Sequence, residues 1–262
     1  MLIPGAWDGD GVGQKAGAAM QNTGLPAVTV AYEDDALLVV VKPSGIVVHP
    51  AYHQTSGTFW HMLVLLFQDR GLAEAPRLLQ RLDRDTSGLL CVSKRLDAHR
   101  RLERALHGGR FLKQYLALAR GTLEGGATID RPLGRDPLDR RRVIVRADGQ
   151  PARTRLRVLR RFPGWTLLCL QLETGRTHQI RAHLASMGHP VAGDMLYGHP
   201  QGDAAPRLFL HAHRLCFPHP DGLGMIRCHS PLPDILQETL VDLHRRSRRG
   251  EDPLPPPLRM IE

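Results

Sequence analysis

Residues with the types and spacing to do chemistry gather in three short stretches. The densest is Gln80-Arg81-Leu82-Asp83-Arg84-Asp85-Thr86-Ser87-Gly88-Leu89-Leu90. A carboxylate set between two guanidiniums and followed by Thr-Ser-Gly and an apolar run reads as a polar turn feeding a core element. The same residues also suit a purely structural turn, ion-paired and closed by Thr86 or Ser87 on the backbone. The second stretch is Glu173-Thr174-Gly175-Arg176-Thr177-His178-Gln179-Ile180-Arg181-Ala182-His183-Leu184. On a helix, Arg176, Gln179 and His183 share one face and Arg181 points elsewhere. The third is Lys113-Gln114-Tyr115. On an alternating strand Lys113 and Tyr115 face the same way, and a tyrosine beside cations stacks under a base or simply fills the core.

Metal chemistry finds little support. His178 and His183 are five apart, whereas helical ligands want a spacing of three or four. His211 and His213 fall on one side of a predicted strand and could ligate a metal. With 14 His in the chain, such pairs arise by chance. The expectation is no metal. The sequence also lacks a Gly-rich phosphate loop and an internal repeat.

The charge balance bounds the partners. In 262 residues, 35 Lys+Arg against 26 Asp+Glu leave a net charge of +9. That excess favours a polyanion, since each neutralised phosphate releases condensed counterions. Between Arg131 and Arg161 stand eleven Arg and no Lys against three acids, Asp136, Asp139 and Asp148, a local net of +8. Cys91, Cys169, Cys216 and Cys228 lie far apart in or near apolar runs, the pattern of buried reduced thiols, and place the chain in the cytoplasm. No run approaches the roughly 20 apolar residues of a membrane span. No secretory signal is evident at the N-terminus.

Hydrophobic patterning supplies the elements that must hold these residues. Residues 1–25 read as a loose arm, with order beginning near Val28. Ala36–Val41 is a buried strand halted by Lys42-Pro43-Ser44-Gly45, and Ile46–Val48 a short extended piece. Thr58–Phe67 is helical and Leu89–Val92 another short strand. Leu96, Leu102, Ala105 and Leu106 share a helix face closed by Gly108-Gly109. Phe111–Ala119, Thr154–Leu159 and Thr166–Leu172 approach strict alternation, as strands with one buried face do. Thr177–Met187 is a helix, Leu208–Phe217 is extended, and Pro233–Leu243 is a terminal amphipathic helix. From 244 to 262 the chain turns Arg-rich, then Pro-rich, the composition of a tail. Without a regular βαβ alternation, the fold class is α+β with a mostly antiparallel sheet, in one domain over residues 26–243.

Taken together and in order, these segments resemble the RluA-type pseudouridine synthases. Asp34–Gly45 (DDALLVVVKPSG) is similar to that family's opening strand and turn, and Arg81–Leu90 (RLDRDTSGLL) to its catalytic loop. Lys113–Gly121 (KQYLALARG) resembles its tyrosine strand. Thr174–Leu184 (TGRTHQIRAHL) resembles its basic motif, continued by Gly188-His189-Pro190 and Gly193–Gly198 (GDMLYG). Leu210–Pro220 and Pro231–Pro233 close a match spanning residues 28–240.

The resemblance implies a mixed, mostly antiparallel central sheet flanked by helices and loops, with the catalytic cleft across the sheet, and an enzyme that isomerises uridine in ribosomal or transfer RNA to pseudouridine with no cofactor and no metal. A monomer is the default expectation. Asp83 matches the family's carboxylate, Arg181 the basic residue paired with it, and Tyr115 the ring that stacks on the base. Arg81 matches a loop residue that helps displace the target nucleotide. Arg84, Thr86, Arg176, Thr177, His178 and Gln179 fall in the same motifs and are expected to contact substrate. Family members often carry a separate N-terminal RNA-binding domain. Residues 1–25 are too short for one, so the catalytic domain would make most RNA contacts itself, with Arg131–Arg161 as a phosphate surface. One departure stands out. Gln80 occupies the position where the family usually has His, which implies altered loop contacts with the chemistry retained. The alternative reading is a non-catalytic RNA-binding or ribosome-assembly protein on the same fold.

Overall fold

The computed structural model describes residues 27–50, 56–198 and 203–247. The arm expected over residues 1–25 and the tail beyond residue 247 lie outside them. In chain order the strands are β1 (Thr29–Glu33), β2 (Leu37–Lys42), β3 (Arg77–Leu78), β4 (Ser87–Ser93), β5 (Leu112–Arg120) and β6 (Ala127–Asp130). They continue with β7 (Leu133–Arg135), β8 (Val143–Val145), β9 (Arg153–Phe162), β10 (Trp165–Leu172), β11 (Leu210–Pro218) and β12 (Met225–His229). The helices are α1 (Phe59–Asp69), α2 (Leu96–His107), α3 (Gln179–Ser186) and α4 (Asp234–Ser247). None of them is long and apolar enough to cross a membrane.

Ten strands form one sheet, in the order β1-β2-β4-β11-β5-β10-β9-β6, with β12 on β11 and β3 on β4; β7 and β8 make a separate hairpin. Every pairing is antiparallel except β4 with β11. The α+β, mostly antiparallel reading therefore describes the molecule. The apolar run of β2 is unbroken because helices cover both its faces. Leu38 and Val40, with Leu90 and Val92 of β4, pack with Phe59, Met62, Leu63 and Phe67 of α1. The alternate residues Leu37, Val39, Leu89 and Cys91 pack with Leu102 and Ala105 of α2. Each such fully buried side chain contributes about 1.5–3 kcal/mol. Helices α3 and α4 join the α1 side through Ile180, Leu184, Leu236 and Leu240.

The β4–β11 seam is short and close. His211 pairs with Ser87 and Ala212 with Gly88, the two strands running parallel. Gly88 holds φ at 117°, and a Cβ there would sit 2.6 Å from the Ala212 nitrogen, so only glycine lets the strands meet. Because Ser87 and Gly88 directly follow the Asp83 turn, this seam fixes where that turn leaves the sheet.

Several sequence expectations are corrected. Residues 46–48, expected as a short extended piece, join no sheet, and the Val47 and Val48 carbonyls accept the first N–H groups of α1, from Phe59 and Trp60. Alternation fails in β5 and β10, which are buried on both faces over most of their length. It holds in the first half of β9, where Thr154 and Leu156 are buried between exposed arginines. Leu96 opens α2 but is 41% exposed and lies off the packed face. Helix α4 continues through His244 to Ser247, and His244 is buried, so the first residues assigned to the tail belong to the domain.

His211 and His213 lie on one side of β11 and both donate to the Ser230 carbonyl, at 3.2 and 2.7 Å. His211 thus carries its proton on Nε2 and accepts from the Ser87 hydroxyl at Nδ1, 3.0 Å away. No group of three metal-ligating side chains forms among the described residues. Burial pushes the His211 imidazole down to about 4. Below the unfolded value near 6.5 the unfolded chain binds a proton that the native chain refuses. Stability is therefore full above pH 6.5 and falls towards pH 4. The expected difference is on the order of 3 kcal/mol. Urea unfolding at pH 7 and pH 4.5 checks it: His211→Gln should lose markedly less stability on acidification than wild type, and equal losses would refute this assignment.

Candidate active site

The Asp83 loop is clasped from below by the turn after β2. Lys42 is wholly buried and donates to the carbonyls of Pro43, Ile46 and Arg84 at 2.7, 2.9 and 2.8 Å. Burial pulls its pKa down to about 7, against the attraction of Asp85 and Asp83. Gly45 N–H also reaches the Arg84 carbonyl at 2.9 Å, and the Ser44 hydroxyl donates to the Asp85 carbonyl at 2.7 Å. Two motifs some forty residues apart in sequence thus form one unit. The loop closes on itself through Thr86 N–H to the Asp83 carbonyl, 3.2 Å.

Above that loop lies Arg181 of α3, only 8% exposed at its side chain. Its Nε and Nη2 donate to the two oxygens of Asp194 at 2.7 and 2.9 Å, a bidentate pair in which Asp194 is wholly buried. Nη1 reaches Asp83 Oδ2 at 3.3 Å, and Asp83 remains 21% exposed. Burial opposes the charge on Arg181, but its bonds to Asp194 and the fields of Asp194 and Asp83 outweigh it and raise its pKa. One carboxylate anchors the guanidinium and the other stays accessible. Asp194 is itself held by the N–H groups of Leu196 and Tyr197, at 3.0 and 3.1 Å.

Tyr197 and His178 finish this side. The Arg181 guanidinium lies over the Tyr197 ring, 5.1 Å from its centre. The Tyr197 hydroxyl accepts from Val143 N–H at 2.7 Å and lies 3.0 Å from His178 Nδ1. His178 is the one described non-glycine residue with positive φ, 54°, immediately before α3. Burial keeps its imidazole below the ordinary pKa. The left-handed residue carries the chain from the Thr177 loop into α3, the helix that bears Arg181.

Tyr115 of β5 is buried, its phenol pushed up by burial and by the charge of Asp83. Beside it lies a cavity of about 10 Å³ lined by Gln80, Leu89, Lys113, Gln114 and Arg214 among others. The Gln80 carbonyl oxygen is buried there without a hydrogen-bond partner. Burial alone lowers the Lys113 pKa.

The structure thus brings together Asp83, Arg181, Tyr115 and His178. Arg81 and Thr177 are exposed nearby in sequence. Arg84 is exposed and ion-paired to Asp85 at 3.1 Å, while Arg176 donates to the Pro151 carbonyl at 3.0 Å. Thr86 is buried. Gln179 spends its whole amide on the protein: Oε1 accepts from Arg176 N–H and Thr174, and Nε2 donates to Arg153 O and Thr154. His183 also bonds Thr154, so Gln179 and His183 do share the face turned to β9, opposite the direction of Arg181. Sequence reading gave no role to Asp194, Tyr197 or Lys42. All three lie in the motifs GDMLYG and KPSG, and the signal available was a charged or phenolic residue inside an otherwise apolar, glycine-bounded segment.

A sequence profile described as RNA pseudouridylate synthase matches residues 36–186. The chain belongs to this family. The "Ribosomal large subunit pseudouridine synthase D" of Nitrosomonas europaea is 41% identical over 242 residues, 87% of this chain and 70% of that one. The protein of the same name from Xanthomonas campestris is 41% identical over 240 residues, 86% and 72% of the two chains. Among solved structures, human RNA pseudouridylate synthase domain containing 1 superposes with a TM-score of 0.67 at 28% identity, covering 90% of this chain and all of that one.

The two acids of this synthase differ in what their loss should do. Asp194→Ala strands a buried guanidinium and should cost about 3–5 kcal/mol. Asp83→Ala removes only a partly exposed partner of an already anchored cation, at about 1 kcal/mol or less. Urea denaturation of both variants decides it; equal costs would make Asp83 as much an anchor as Asp194.

Proposed function

We propose that this synthase converts uridine to pseudouridine in large-subunit ribosomal RNA, with Asp83 as the carboxylate at the reacting sugar. The observation that carries the reading is the division of labour around Arg181. Asp194 holds the guanidinium from inside, and Asp83 meets its remaining arm at 3.3 Å while staying open to solvent. A charged, positioned and accessible carboxylate is what the reaction needs. The N1 glycosidic bond breaks, the base turns, and the sugar carbon rejoins it at C5, while the C5 hydrogen is replaced by one on N1. Atoms and oxidation state are conserved. The reaction therefore has no requirement for a redox cofactor.

The remaining residues take roles that follow from their positions. Tyr115 offers a ring for the base to stack on, and its raised pKa keeps the phenol protonated. Arg181 keeps Asp83 oriented. The exposed Arg81, on the same loop, fills the gap left by a nucleotide drawn out of its stack, because chemistry on a base inside a helix requires extrusion. Arg84 and Arg176 are left as electrostatic contacts with the strand, and Gln179 as a support for the Arg176 turn. The large ribosomal RNA as substrate rests on the names of the relatives; transfer RNA is the second class to test.

Site-resolved pseudouridine mapping of ribosomal and transfer RNA from cells lacking the gene tests the proposal. One or a few large-subunit sites should vanish and return with wild-type protein. Asp83→Ala should not restore them, its rate falling by at least about 10³-fold. Restoration by Asp83→Ala would instead support a non-catalytic, RNA-binding role.

A further inference from the structure

Five of the eleven arginines between residues 131 and 161 are already held by neighbouring acids or by the Leu123 and Glu124 carbonyls. Arg141 is paired with Asp139 at 2.8 Å and Arg146 with Asp148 at 2.6 Å. Arg153 and Arg155 share Glu173, and Arg161 donates to the Leu123 and Glu124 carbonyls. Arg142 differs. Like Arg131, Arg135, Arg140, Arg157 and Arg160 it forms no ion pair among the described residues, but it alone of these arginines is half-buried with its Nε enclosed and without a hydrogen-bond partner. Its charge is felt by Asp139, but that carboxylate is gripped by both arms of Arg141, at 2.9 and 2.8 Å.

Its position is specific. The Arg142 guanidinium lies over the Tyr197 ring, 5.2 Å from its centre, and Arg181 lies over the same ring at 5.1 Å. The two guanidiniums are therefore within about 10 Å of each other by geometry. The backbone around Arg142 is pinned. Its N–H donates to the Asp139 carbonyl at 2.8 Å, its carbonyl accepts from Asp136 N–H at 3.1 Å, and the next N–H, of Val143, binds the Tyr197 hydroxyl. A partly desolvated cation that is rigidly placed but unneutralised is a cost to the free protein that an anion would offset.

The geometry points to Arg142 as a phosphate-binding residue of the site, taking a backbone phosphate of the RNA strand close to the target uridine. The planar fork suits phosphate oxygens, and stacking on Tyr197 fixes its plane beforehand. This rests on the RNA-modifying reading above only in taking RNA as the ligand.

The test is RNA binding against salt, using unmodified large-subunit ribosomal RNA transcribed in vitro and proteins carrying Asp83→Ala so that no turnover intervenes. Arg142→Met keeps the length and apolar contact with Tyr197 but removes the charge. It should weaken binding about tenfold near 0.1 M salt and lower the slope of log affinity against log salt by about 0.7–0.9. Arg142→Lys should retain the slope. With Asp83 present, Arg142→Met should need about tenfold more RNA to reach its half-maximal single-turnover rate, in step with the loss of affinity. An unchanged slope in Arg142→Met, or a slower step with unchanged affinity, overturns the proposal. Thermal unfolding separates the structural explanation: weaker binding that merely tracks a smaller folded fraction also overturns it. Loss of slope alongside a wild-type protein that forms no pseudouridine would sink the isomerase reading and leave the phosphate site standing.

Discussion

A single buried positive charge organises this site. Arg181 could not be carried on a helix inside the domain without an acid to meet it, because an unpaired guanidinium at that depth costs several kcal/mol. Asp194 supplies that acid from a turn whose own N–H groups hold it in place, and Tyr197 covers the guanidinium plane. Everything else at the site is arranged around the arm that Asp194 leaves over. The left-handed turn at His178 leads into the helix that carries that arm, and the clasp at Lys42 sets the height of the loop that meets it.

Two kinds of restraint converge on Asp83. From the sheet, the seam of β4 with β11 fixes Ser87 and Gly88, four and five residues beyond it. From the opposite side, Lys42, Ser44 and Gly45 hold the carbonyls of Arg84 and Asp85. The carboxylate is therefore carried on a short, doubly tethered loop and not on a flexible tip. Pre-organisation of this sort spares the reaction the entropy of collecting its groups at each turnover.

Much of the architecture was legible in the residues, for reasons that can be named. The apolar run of β2, the turn at Lys42-Pro43-Ser44-Gly45 and the Gly108-Gly109 end of α2 are local signals, and they lie where local physics puts them. The β1, β3, β6, β7, β8 and β12 strands were not legible. They are two to five residues long, too short for a period of two to stand out from the residues around them. Strict alternation was the wrong expectation for β5 and β10, because coverage of both faces is a property of the whole sheet and not of the strand. At the site, Asp83 and Arg181 emerged from their motifs, whereas Asp194 did not: a carboxylate beside an exposed methionine shows nothing of its burial until the guanidinium that accepts it is in place. The Arg131–Arg161 segment shows the converse. Composition counts charges, and only the fold says which of them are already spent on neighbouring acids and carbonyls.

The β4–β11 seam has a consequence for how the chain is made. It joins residues 124 apart, and the pairing of Asp83 with Arg181 spans 98. A ribosome adding residues at about 5–20 per second needs roughly 6–25 s to travel from one side of that seam to the other. Throughout that interval the nascent β4 has β2 along one edge and β3 against Val92 and Ser93 of the other, which leaves the Ser87–Leu90 stretch of that edge open, a template on which strands of other chains add. Its all-buried sequence, Ser87–Ser93, makes that edge apolar as well. The enzyme is thus born with its most vulnerable surface next to its reactive loop, and the strand that seals the one completes the other.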